Sequence, residues 1–100
     1  MTTTPTRVTD IVAQKWGVYR IDMLGDSRKA EIVEARQVAM YLLRELLDWD
    51  IKRIAVLFDR SQTTVRYAHH VIGNRIIRER ELRHQVDELS CQIAAWESAA

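Results

Sequence analysis

Apolar residues recur along nearly the whole chain at intervals of three and four residues, the spacing that places them on one face of an α-helix. No segment alternates apolar and polar residues for long enough to indicate a β-strand. The pattern therefore predicts an all-α domain that is built from about six helices and ends in a long helix.

The amino-terminal part of the chain predicts two helices. The first helix has Thr6 and Thr9 as candidate capping residues and Gly17 as its stop. Its apolar stripe consists of Val8, Ile11, Val12 and Trp16. A short second helix is expected over residues 18–24, because a glycine follows its last apolar residue.

A polar segment separates these helices from the strongest helical pattern. Residues 25–31 predict a surface loop that carries Arg28 and Lys29. Residues 34–47 predict a helix with a wide apolar face, because apolar side chains recur there at i, i+3 and i+4. We expect this helix to lie at the centre of the domain.

Two further helices and a turn are predicted next. Asp50 is placed to cap a helix over residues 51–58, and residues 59–61 form a tight polar turn. Helical spacing then resumes until a Gly-Asn pair at residues 73–74, which we expect to end or bend the helix. The final helix is expected over residues 75–96.

Length and composition limit the chain to one domain. With 100 residues, of which 47% are hydrophobic, we predict a flexible segment over residues 1–5 and a single domain over residues 6–100. The longest apolar run, residues 38–43, is far shorter than the roughly 20 residues that span a bilayer. The start of the chain lacks a secretory-signal pattern, and the lone Cys91 cannot form an internal disulfide. These features predict a cytoplasmic protein.

Charge is distributed unevenly, although the net charge is only +1. Residues 1–51 carry −1 and residues 84–100 carry −3, whereas residues 52–83 hold eight basic and three acidic side chains and carry +5. A local cationic segment is typical of a surface that binds a polyanion, although such a run is also typical of a solvated helix face.

Residues 51–73 have the pattern of a helix-turn-helix, a motif whose second helix enters the major groove of DNA. We predict base contacts from the small hydroxyl and amide side chains at the start of that helix, which are Ser61, Gln62, Thr63 and Thr64. A glutamine can bond adenine through two hydrogen bonds, and a threonine methyl can meet the thymine methyl. The alternative is that Ser61 only caps the helix and the two threonines fill its first turn.

Other polar side chains around this helix start are predicted to contact the DNA backbone, which positions a protein without reading sequence. They are Lys52, Arg53, Arg60, Arg66, Tyr67 and His70.

Four short segments carry a resemblance to a known family. They are residues 35–40 (ARQVAM), 43–46 (LREL), 54–58 (IAVLF) and 63–65 (TTV), the last followed by Ala68. In this order and spacing they resemble the carboxy-terminal DNA-binding domain of the bacterial replication initiator DnaA. The register holds without a gap from about Ile11 to Phe58, and the resemblance covers roughly residues 7–96.

The resemblance implies a fold similar to that of the Trp repressor, with double-stranded DNA as the partner. In that family the helix-turn-helix lies in the major groove and a preceding basic loop reaches into the minor groove. The resemblance therefore implies base contacts from Thr63 and Thr64. It also implies minor-groove or backbone contacts from Arg28, Lys29 and Arg36.

Three departures from the family pattern affect these predictions. The segment of residues 59–62 is one residue shorter than the family's turn, and Gln62 stands where the family has a histidine. Acidic residues dilute the basic loop; they are Asp26, Glu31 and Glu34. Lys52 replaces a proline and offers a phosphate contact.

We predict a DNA-binding regulator of transcription or replication that has no catalytic site. No glycine-rich phosphate loop is found, so we expect a free-standing DNA-binding domain rather than the initiator itself. We predict no metal or cofactor, because His69 and His70 point about 100° apart on a helix and lack partners at ligand spacing. The alternative function is a protein-interaction module that keeps the fold and has lost specific DNA readout.

The final helix has two interpretations. Its apolar residues are spaced 4, 3, 4 and 3 apart, which is a coiled-coil seam over only two heptads. They either pack back on the domain, as in the family, or form a homodimer. These residues are Leu82, Val86, Leu89, Ile93 and Trp96.

Overall fold

The computed structural model describes the backbone of residues 5–99 and the side chains of residues 6–96. Its helices are α1 (Pro5–Trp16), α2 (Arg20–Leu24), α3 (Ala30–Glu45), α4 (Ile51–Phe58), α5 (Gln62–Arg78) and α6 (Arg80–Ala99). Residues 5–99 contain no β-strand, which confirms the predicted all-α fold of about six helices. The predicted flexible segment, apart from Pro5, lies outside the described residues.

Helix α3 is the centre of the domain because its apolar face is wide enough to meet several neighbours. It packs most extensively against α5 and α1, and it also contacts α2 and α4. Its side chains in the core include Val38, Ala39, Leu42 and Leu43, none of which is more than 1% exposed. Within the described part of the chain, no helix is long and apolar enough to cross a membrane.

The end of α1 follows the predicted signal, whereas its start does not. Gly17 has a φ of +69°, a left-handed conformation that suits glycine, and it stops the helix as predicted. Thr6 and Thr9 both lie inside α1, so neither caps it. The Thr9 hydroxyl donates a hydrogen bond of 2.9 Å to the carbonyl of Thr6 instead.

Helix α3 begins four residues earlier and ends two residues earlier than predicted. Its additional first turn is held by Ile32, which is buried in the structure although the segment that precedes it in sequence is polar. The helix stops before Asp48, whose φ of 56° is left-handed, and the amide of Trp49 donates to the carbonyl of Leu43 at 3.1 Å. The loop between α2 and α3 is therefore shorter than the predicted segment 25–31 and comprises residues 25–29.

The Gly-Asn pair at residues 73–74 does not end or bend a helix, because α5 continues to Arg78. Gly73 lies against α3, where a Cβ atom would be 3.7 Å from Cε1 of Tyr41. The helix ends at Glu79, and Arg75 fixes this end: its guanidinium donates to Glu79 at 2.7 Å and to Glu34 of α3 at 2.8 Å. The last helix therefore begins at Arg80 rather than at residue 75.

The apolar seam of α6 is used within the domain. Leu82, Val86, Leu89 and Ile93 are all buried in the core, and Trp96 packs against it beneath the guanidinium of Arg7. The first four side chains therefore pack back on their own domain, which is one of the two interpretations of the pattern, while Trp96 is half-buried. The homodimer through this helix stays a prediction.

Candidate nucleic-acid interface

The first helix of the motif and its turn are built by local hydrogen bonds. Asp50 caps α4 as predicted, since its carboxylate accepts from the amide of Arg53 at 2.7 Å. After the buried Phe58, the chain turns at Asp59, whose φ of 52° and ψ of 51° are left-handed. Aspartate is one of the few residues other than glycine that adopts this conformation. The amide of Arg60 then donates to the carbonyl of Ala55 at 3.0 Å and closes the turn.

The start of α5 is exposed and capped by Ser61. The Ser61 hydroxyl accepts from the amide of Thr64 at 3.1 Å and lies 2.9 Å from the Thr64 hydroxyl. Gln62 and Thr63 are exposed, and neither makes a side-chain hydrogen bond within the described part of the chain. The capping role considered for Ser61 is therefore present, and it leaves Gln62 and Thr63 available to a ligand.

Several predicted contact residues surround this helix start. Lys52, Arg60 and Gln62 line one shallow groove between α4 and α5. Arg66, Tyr67 and His70 follow along the exposed face of α5, and Tyr67 is 62% exposed. The inward face of the same helix is buried through Val65, Ala68 and Ile72. One face of helix α5 therefore packs in the core of the domain, and the opposite face is exposed to solvent.

Arg53 lies in the first helix of the motif, and its side chain already makes a contact within the domain. Its guanidinium stacks over the ring of Trp49, 3.5 Å from the ring centroid. Lys52, its neighbour in sequence, is exposed and makes no such contact in the described part of the chain.

The loop of residues 25–29 is attached to the helix-turn-helix. Arg28 and Lys29 are exposed on this loop. Arg60, in the turn of the motif, donates from Nη2 to the carbonyl of Gly25 at 2.6 Å. The structure therefore joins the loop that carries Arg28 and Lys29 to the turn that precedes the predicted base contacts.

Arg36 is placed in the interior and not on this surface. It is only 7% exposed, and its Nε donates to the carbonyl of Met23 at 2.6 Å. Its Nη2 donates to the carbonyls of Asp22, Gly25 and Ser27 at 3.3, 3.2 and 3.0 Å. The predicted DNA contact from Arg36 does not fit this position, because the guanidinium is used to hold the backbone around the loop.

The surroundings of Arg36 also affect its ionisation. Burial lowers the pKa of its guanidinium, and the positive charge of Arg60 lowers it further, whereas the carboxylate of Asp26 acts in the opposite direction.

The bond between Arg60 and Gly25 could not be predicted from the sequence, because 35 positions separate the two residues. No local pattern reports such a contact.

His69 pairs with a carboxylate of α3, and His70 pairs with an amide one turn further along α5. His69 lies 2.6 Å from Glu45 and stacks on the ring of Tyr41, while His70 lies 3.0 Å from the side chain of Asn74. Among the residues that the structure describes, no group of three His, Cys, Asp or Glu side chains is arranged to hold a metal ion.

A short helix, a tight turn and a second helix with an exposed, cation-flanked start define a DNA-binding domain of the helix-turn-helix class. The family model described as "Bacterial dnaA protein helix-turn-helix" matches residues 5–72. The chain belongs to this family, which confirms the resemblance seen in its sequence.

Three relatives show how much of the chain is shared, and each is named "Chromosomal replication initiator protein DnaA". The relative from Picosynechococcus sp. is 37% identical over 90 residues, which are 89% of this chain and 20% of that protein. The relative from Tropheryma whipplei is 34% identical over 86 residues (86% and 18%). The relative from Cutibacterium acnes is 36% identical over 94 residues (93% and 19%). The chain spans about a fifth of the length of these relatives.

Proposed function

We propose that this protein binds duplex DNA by placing the start of α5 in the major groove, and that it regulates transcription or replication in the bacterial cytoplasm. The observation that carries the proposal is the exposed first turn of α5. There the Ser61 hydroxyl bonds the amide and the hydroxyl of Thr64. The side chains of Gln62 and Thr63 make no hydrogen bonds within the described part of the chain.

The two unengaged side chains read bases. The side-chain amide of Gln62 can form two hydrogen bonds with one adenine, because adenine presents the N7 acceptor and the N6 donor side by side in the major groove. The amide nitrogen donates to N7, and the amide oxygen accepts from N6. The hydroxyl and methyl of Thr63 suit a neighbouring thymine, whose C5-methyl group lies in the same groove. We therefore expect a recognition site with an A·T pair at the position that Gln62 meets.

Phosphate contacts position the domain on the duplex. The first amides of α5 favour an anion, because they lack partners within the helix and lie at the positive end of its dipole. Lys52 and Arg66 flank this helix start, and Arg28 and Lys29 extend the cationic surface through the loop to the minor groove. Arg36 takes no part in binding because it is enclosed by backbone carbonyls.

The test is a selection from random duplexes, followed by a salt titration on the enriched sequence. We expect an enriched sequence and an affinity that falls steeply with salt. Gln62→Ala should relax preference at one base pair, with a loss of about 1–3 kcal/mol for the preferred base. Gln92→Ala is the matched control, because Gln92 is an exposed glutamine on α6. Failure to enrich any sequence, together with salt-independent binding, would refute the proposal.

A further inference from the structure

The guanidinium of Arg60 connects two segments of the chain that lie far apart in sequence. Its Nη1 donates to the carbonyls of Phe58 and Asp59, at 3.1 and 3.3 Å, within its own turn. Its Nη2 donates at 2.6 Å to the carbonyl of Gly25, in the loop between α2 and α3. Because a guanidinium is planar and its donors point in fixed directions, it holds the turn and the loop in one relative position.

The carbonyl of Gly25 accepts a second hydrogen bond, from Arg36. A carbonyl oxygen has two lone pairs, and that of Gly25 also accepts from Nη2 of Arg36 at 3.2 Å. Arg36 holds the loop further along through the carbonyl of Ser27. The loop is thus attached to the core by Arg36 and to the helix-turn-helix by Arg60.

Arg60 lies between the two elements that meet DNA in the proposed function. It precedes Gln62 by two residues, and its acceptor Gly25 precedes Arg28 by three. On a duplex, the major-groove and minor-groove contacts are separated by a sugar-phosphate backbone of fixed dimensions. A loop already held at the right distance from α5 binds without the entropic cost of ordering it.

We propose that Arg60 is a positioning residue, which couples the minor-groove loop to the start of the recognition helix α5. The proposal rests on the proposed function, because it assigns the mechanism by which two contacts of one interface act together. It differs from the role that Arg60 would have as a plain phosphate contact. A phosphate contact contributes independently of Arg28, whereas a positioning residue makes the contribution of Arg28 depend on its own presence.

The test is a double-mutant cycle on the selected duplex with Arg60→Ala, Arg28→Ala and both substitutions. We expect Arg28→Ala to weaken binding about tenfold in the wild-type background and less than about threefold when Arg60 is already alanine. Equal effects in both backgrounds, or no effect of Arg28→Ala in the wild-type background, would overturn the proposal. The matched control is the cycle of Arg28→Ala with Lys52→Ala, since Lys52 lines the same groove without bonding the loop. That cycle should be additive.

A conservative variant separates charge from geometry. Arg60→Lys keeps the positive charge, but a compact ammonium cannot reproduce the planar fork that spans the turn and the loop. In the Arg60→Lys background, we therefore expect Arg28→Ala to weaken DNA binding as little as it does in the Arg60→Ala background. If Arg60→Lys binds like the wild type and leaves the effect of Arg28→Ala unchanged, a phosphate contact explains Arg60 and the positioning role is wrong.

A measurement on the protein without DNA keeps this inference distinct from the proposed function. Hydrogen exchange of the amides of Gly25 and Lys29, which donate to the carbonyl of Ile21 and to the hydroxyl of Ser27, should be faster in Arg60→Ala than in the wild type, while exchange in the centre of α3 is unchanged. Unchanged exchange in the loop would overturn the proposal. If the wild type binds no duplex, the proposed function fails, and this exchange measurement still decides whether Arg60 holds the loop.

Discussion

Arg36→Met tests the role of the buried arginine. Methionine keeps an apolar stem of similar length and removes the guanidinium, so the carbonyls of Met23 and Ser27 lose this donor, whereas that of Gly25 keeps its bond from Arg60. If Arg36 holds the backbone around the loop, this substitution should destabilise the fold. If Arg36 reaches DNA, it should weaken binding and leave the fold intact.

The expected magnitude follows from the environment of each bond. The bond from Nε to Met23 is buried, and a hydrogen bond with a charged partner contributes about 1.5–3 kcal/mol. The remaining bonds are partly buried, so water can replace the lost donor and each adds about 0.5 kcal/mol at most. The cost of burying a cation is relieved in the variant and offsets part of the loss. We expect a net destabilisation of about 1–4 kcal/mol, a large share of the stability of a domain this small.

Urea denaturation followed by circular dichroism measures this change in the free energy of unfolding. The matched control is Arg44→Met: the Arg44 guanidinium donates to the carbonyl of Trp49 at 3.1 Å, but its side chain is 40% exposed. The control should lose less than about 1 kcal/mol. An Arg36→Met variant that is as stable as the wild type and binds the selected duplex more weakly would refute the structural role.

Three further predictions follow from the helices. Gly73→Ala should stabilise the domain by about 0.5–1 kcal/mol, because the helix has room for a methyl group there. Gly17→Ala should destabilise the domain, because the φ of Gly17 is positive. Chemical denaturation measures both changes in stability, and equal effects would contradict the reasoning. Leu89→Ala should cost about 2–5 kcal/mol, and both variant and wild type should sediment as monomers; a wild-type dimer that this substitution dissociates would contradict the assignment of Leu89 to the core. The hydrogen bond from Arg75 lowers the pKa of Glu79, so this carboxylate stabilises the fold above the ordinary glutamate pKa of about 4.3, and the contribution is lost as the pH falls through the lower folded value. The domain should therefore lose less stability between about pH 5 and pH 3 when Glu79 is replaced by glutamine, because glutamine does not titrate. An unchanged dependence of stability on pH would contradict this prediction.

The features that could be predicted from sequence depend on neighbours along the chain. Asp50 and Ser61 cap helices because a short side chain reaches an amide three residues ahead, and both appear in the structure where the pattern placed them. Gly17 ends α1 for an equally local reason. The first helix of the motif, its turn and the start of its second helix could therefore be predicted almost residue by residue from the sequence.

The features that could not be predicted depend on residues far apart. Gly73 stays helical because it packs against α3, and the helix ends instead at Glu79, where Arg75 also reaches Glu34 across 41 positions. The burial of Arg36 likewise requires the loop to fold back over α3. The sequence does not distinguish an arginine on a helix that contacts DNA from one that donates hydrogen bonds to backbone carbonyls.

The separation of the two faces of α5 has a consequence for how such domains diversify. Gln62, Thr63 and Arg66 form no hydrogen bonds or ion pairs with the described part of the chain, while Val65, Ala68 and Ile72 hold the helix in place. Replacing the outward side chains should therefore cost little stability. The scaffold can acquire a new target sequence through a few substitutions, and libraries randomised at these three outward positions would offer a direct route to engineered specificities.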